Sequence, residues 1–129
     1  ITDDNLVDSK MRRLGTISTM SLANLEQKFT FAAGLAELMR TNRTEVREEL
    51  GLWIVWWREL LLIQLGVPEI TLNLARVKEL EWPTNIFSTV ELIHIIKDIK
   101  QTQEYLEANV NPLLALEELM LNIPTPHSR

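Results

Sequence analysis

The chain has 129 residues and a mass of 14.9 kDa, a length that suits one domain with a real hydrophobic core. Apolar residues make up 46% and charged residues 24%, a globular balance that excludes disordered, collagenous and low-complexity classes. There is no cysteine, which excludes disulfide frameworks, thiolate metal sites and cysteine nucleophiles, and the net charge of −5 is the wrong sign for neutralising phosphates. No direct nucleic-acid contact is expected. The glycines, Gly15, Gly34, Gly51 and Gly66, fit neither a GxxxxGK[ST] loop nor a GxGxxG turn. The most apolar stretch, Leu52 to Leu65, is interrupted by Arg58 and Glu59, so no membrane-spanning helix is expected. The first residues, Ile-Thr-Asp-Asp-Asn, lack an initiator Met and the order of a signal peptide, as expected of a piece of a longer protein.

Apolar residues recur at three- and four-residue steps, and strand signals are missing, which predicts an all-α chain. Residues 1–19 read as an N-terminal extension or linker, with a weak stripe of Leu6, Val7, Met11 and Leu14. A helix is predicted from about Ser21 to Met39, burying a broad stripe of Leu22, Leu25, Phe29, Ala32, Ala36 and Met39 with Phe31, Leu35 and Leu38 beside it, and with Glu26, Lys28 and Glu37 outward. Asn42 with Glu45 reads as the start of the next helix, which runs to about Leu65 with Gly66 as its stop. Val46, Leu50, Trp53, Trp57 and Leu60 form one stripe of that helix and Leu52, Trp56 and Ile63 another, the pattern of a central helix.

Pro68 and Glu69 open a shorter predicted helix bearing Leu72, Leu74, Val77 and Leu80, which ends before Trp82-Pro83. Thr84 or Asn85 then starts a helix with Ile86, Val90, Ile93, Ile96, Ile99, Gln103 and Leu106 along one side. The run Asn109-Val110-Asn111-Pro112 breaks it, and Asn111 followed by Pro112 starts the last helix. That helix carries Leu113, Leu116, Met120 and Ile123 on one side and Leu114 and Leu121 on a second, up to Pro124, and residues 125–129 form a tail. The expectation is a compact bundle of five to six helices over residues 20–124.

Chemistry is sparsely encoded. Glu91 and His94 stand at the ExxH spacing of di-iron bundles, with Asp98 one turn on, but the only other histidine, His127, lies in the tail. The plainer reading is a half-exposed histidine beside solvated acids. Glu48/Glu49 and Glu117/Glu118 are adjacent in sequence and diverge around a helix, which does not suit paired acid–base work. Trp53, Trp56, Trp57 and Trp82 keep company with Leu, Ile and Val and read as core, with one indole edge free for a partner. Arg40, Arg43 and Arg47 interleave with Glu37, Glu45, Glu48 and Glu49, the pattern of a locally paired surface. Arg58-Glu59 interrupts an apolar helix and is expected to reach a domain edge or a neighbouring subunit.

Three ordered blocks are more specific than periodicity: Trp56-Trp57-Arg58-Glu59-Leu60-Leu61, then Asn73, then Asn109-Val110-Asn111-Pro112-Leu113-Leu114-Ala115-Leu116-Glu117. Together they resemble the C-terminal domain of the delta-prime subunit of bacterial DNA polymerase III, a clamp-loader component, over roughly residues 20–124. Glu59 stands where that family more often has Asp, and Leu113 and Leu114 where a basic or amide residue is frequent, which leaves room for the related gamma/tau subunit. The resemblance implies a cytoplasmic helical collar domain that is not itself an enzyme, holds no cofactor and packs beside the collar domains of gamma/tau and delta. Arg58, Glu59, Trp56, Leu113 and Glu117 become candidate subunit contacts, and Trp57, Asn73, Asn109, Asn111, Pro112 and Leu116 the structural motif. A small metal-carboxylate enzyme and a stand-alone helical adaptor outside replication are the competing classes.

Overall fold

A computed structural model describes residues 24–66 and 87–123. The predicted helix from Pro68, Asn73, the stop at Trp82-Pro83, the stripe near the N-terminus and the segments beyond Ile123 lie outside the described residues. Among the described residues the fold is all-helical, with four helices and no strand: α1 (Leu25–Thr41), α2 (Arg43–Gln64), α3 (Thr89–Glu107) and α4 (Pro112–Asn122). Helix α1 packs on α2 and α4, and α3 packs on α2 and α4, so the four close into a bundle.

The helix ends follow local chemistry. Asn24 caps α1 in a reciprocal box with Gln27, its side chain accepting from Gln27 N at 2.8 Å while Gln27 Oε1 accepts from Asn24 N at 3.1 Å. This helix therefore begins at Leu25 rather than near Ser21. Asn42 serves two helices, donating its backbone N–H to Leu38 O at 2.7 Å to close α1 and accepting from Glu45 N at 3.1 Å to open α2. Glu45 answers through the Asn42 side-chain amide at 3.3 Å.

Helix α2 stops at Gly66, whose φ of +84° is the left-handed conformation that glycine adopts without cost, and Gly66 N donates to Ile63 O at 3.1 Å. Helix α3 starts at Thr89, later than Thr84 or Asn85, because Ser88 and Glu91 form a second reciprocal box at 3.1 and 2.8 Å. Phe87 and Leu92, the two staple positions around that cap, are both buried.

Two contacts fix the direction of packing. At one end of the α2–α3 pair Gln64 Nε2 donates to Thr89 Oγ1 at 3.0 Å; at the other Arg47 Nε donates to Glu107 Oε1 at 2.9 Å. The start of each helix thus lies beside the end of the other, an antiparallel pair. Arg43 Nη2 also donates to Leu106 O at 2.9 Å, placing a cation on the negative end of α3.

The core joins all four helices, and α2 supplies Val46, Leu50, Trp53, Trp56, Trp57 and Leu60 to it. Phe31 stacks on Trp53 with ring centres 5.4 Å apart, and Trp57 meets Phe87 edge to face at the same separation.

Two helices turn differently from expectation. Helix α1 buries Ala32, Leu35 and Met39 from its expected broad stripe, but it also buries Lys28 and leaves Leu25 half exposed. Helix α3 buries Leu92, Ile95, Ile99, Thr102 and Leu106 and leaves Val90 and Ile93 outside. Both carry apolar residues on more than one stripe, so the neighbours' positions decide which stripe is covered.

Candidate functional site

The turn between α3 and α4 is the most specifically built feature of the sequence motif. Helix α3 ends with Asn109 at a φ of +61°, Asn109 N donating to Leu106 O at 3.3 Å and Val110 N reaching back to Tyr105 O at 3.0 Å. That pair of bonds is a Schellman ending, with asparagine in the left-handed position that glycine most often takes. Asn111 then caps α4 by accepting from Leu114 N at 3.1 Å, and Pro112 takes the first turn, where no N–H is needed. Asn111 as the cap and Pro112 in the first turn match the start signal read from the sequence.

The five candidate contact residues do not form one surface. Arg58 is exposed, Leu113 is exposed and Glu117 half-buried, whereas Trp56 and Glu59 are inside the bundle, Glu59 at 3% exposure. Neighbours on a helix diverge by about 100°, so Arg58 and Glu59 cannot act as one outward pair. Trp56 and Glu59 are therefore corrected to interior positions that present no surface to a partner. Trp57 and Leu116, expected as motif residues, are fully buried.

The ExxH step is used otherwise. The Glu91 carboxylate accepts from the Ser88 backbone N–H, and His94 is exposed. Among the described residues no three His, Asp or Glu side chains gather where they could hold a metal ion. The arginines find partners both near and far in the sequence. Arg40 pairs with Glu37 at 3.5 Å, but Arg43 and Arg47 hold the end of α3. Between them and Met39, Leu50 and Leu106 lies a gap of about 20 Å³, room for about one water.

Lys28, expected on the outward face of its helix, is inside. It is 3% exposed, and its Nζ donates to Ile123 O at 3.0 Å, so the start of α1 supplies the cation that the last turn of α4 lacks. Burial holds its pKa below the ordinary lysine value of 10.5.

The outer side of α4 exposes leucines beside Glu117 and Glu118. Leu114 and Leu121 are 63% and 57% exposed, with Leu113 and Val110 also uncovered. Their three- and four-residue spacing within a leucine-rich run was visible in the sequence, as was the second side formed by Leu114 and Leu121. None of the helices among the described residues is long and apolar enough to cross a membrane. Comparison with protein families, with curated proteins and with solved structures returned no match.

Proposed function

We propose that this chain is the helical collar domain of a clamp-loader delta-prime subunit, a non-catalytic domain that binds its neighbours during DNA replication. The observation that carries the reading is the use made of the resembling blocks. Trp56, Trp57 and Leu116 fill one core, while Asn109, Asn111 and Pro112 build the turn into α4. Side chains of this pattern serve architecture, as a domain whose task is to present surfaces requires. Arg58 and the exposed leucines of α4 are the groups available for contact in this reading, and the collar domains of gamma/tau and delta are its cytoplasmic partners. Nucleotide and DNA contacts belong to the domains that precede a collar.

The test is co-expression of this chain with the C-terminal domains of gamma/tau and delta, with complex mass read by light scattering after size exclusion. A stable mixed complex is expected, and Arg58→Glu is expected to weaken it while leaving the thermal midpoint of the domain unchanged. Folded partners that elute separately from this chain would overturn the reading.

A further inference from the structure

Helix α4 has an unusual charge pattern. Between Pro112 and Asn122 its charged residues are Glu117 and Glu118, and neither takes a hydrogen bond or ion pair from a described residue. They lie on the turn between Leu114 and Leu121, the most exposed leucines of the helix, which stand seven residues and therefore about 10.5 Å apart. Positions 114, 117, 118 and 121 share one helix face, opposite the buried Ala115, Leu116, Leu119 and Met120. The backbone end of α4 is already served by Lys28, so among the described residues it is the carboxylates of this outer face that meet no cation.

We propose that this face docks an amphipathic helix of another polypeptide, one whose apolar stripe is flanked by Lys or Arg. The inference rests on the interaction-domain reading above and adds the chemistry of the partner. Two leucines at this spacing match the apolar stripe of a helix laid against them. Docking also removes water from Glu117 and Glu118, and a desolvated carboxylate needs a cation opposite it. A second copy of this chain, paired through the same face, would set these carboxylates against their own kind.

Two synthetic amphipathic peptides with one leucine stripe, flanked by lysines in the first and by glutamates in the second, test the proposal by anisotropy titration against the full chain. The lysine-flanked peptide is expected to bind, less tightly as salt rises, and the glutamate-flanked one to stay free. A Glu117→Lys, Glu118→Lys double variant should reverse that preference. A Leu114→Ser, Leu121→Ser double variant, checked for unchanged far-UV signal, should weaken binding by about tenfold or more. The proposal is overturned if neither peptide binds, if both bind alike, or if the charge variant keeps the original preference. It is also overturned if the chain is a dimer by light scattering that the leucine variant makes monomeric. Lysine-peptide binding without clamp-loader assembly would remove the collar reading and keep this one. Clamp-loader assembly without lysine-peptide binding would do the reverse.

Discussion

A lysine on the second turn of an amphipathic helix normally reaches water, and Lys28 does not, because α4 ends where its side chain passes. Burying the charged form is costly, which is why its pKa is lowered. Between that lowered pKa and 10.5 the unfolded chain binds more protons than the folded one, so this residue makes stability rise with pH across the window. Below the window the full cost is present. Chemical denaturation at stepped pH should show this rise in the parent chain and its loss in Lys28→Met. Asn111 gives a second test at this scale. Its side chain satisfies the Leu114 N–H, so Asn111→Ala should lower stability by about 0.5–2 kcal/mol in the same denaturation assay. An unchanged midpoint would remove its role as a cap.

Among the elements, α3 shows how a local signal outranks a run of apolar residues. Ile86 and Val90 continue a plausible stripe, yet the Ser88–Glu91 box satisfies two N–H groups that an earlier start would place differently. Ser88→Ala should lower stability by about 1 kcal/mol and raise amide exchange in the first turn of α3, leaving α4 protected. Helix α2 behaves in the opposite way, since its boundaries and its buried stripe both follow from the sequence. Val46, Leu50, Trp53, Trp57 and Leu60 were expected inside and are buried. An exposed ion pair such as Arg47 with Glu107 adds little to this arrangement, whereas Arg43 on the Leu106 carbonyl also answers the end of a helix.

At the scale of the whole molecule, α2 and α4 each pack on both α1 and α3, and Trp57 is the most enclosed large side chain of α2. Trp57→Ala should cost about 3–5 kcal/mol in a thermal or denaturant melt, while Arg58→Glu, one position on and exposed, should stay within about 0.5 kcal/mol of the parent. That contrast separates a core position from a surface one in adjacent residues. It also explains why five candidate contacts chosen from the sequence divided as they did: Trp56 and Glu59 share the inward arc with Trp57, and Arg58 does not.

The sequence by itself determined the helical class, the span of α2, the stop at Gly66, the cap that Asn42 gives α2 and the Asn109–Pro112 turn. Each depends on groups within a few residues of one another, where spacing and side-chain type suffice. Only the tertiary structure decided which stripe of α3 faces inward, that Lys28 of α1 is buried, and that Arg43 and Arg47 reach the end of α3. Those outcomes depend on which helix end arrives beside which side chain. A carbonyl 95 residues away makes Lys28 an interior residue, and no local pattern carries that information.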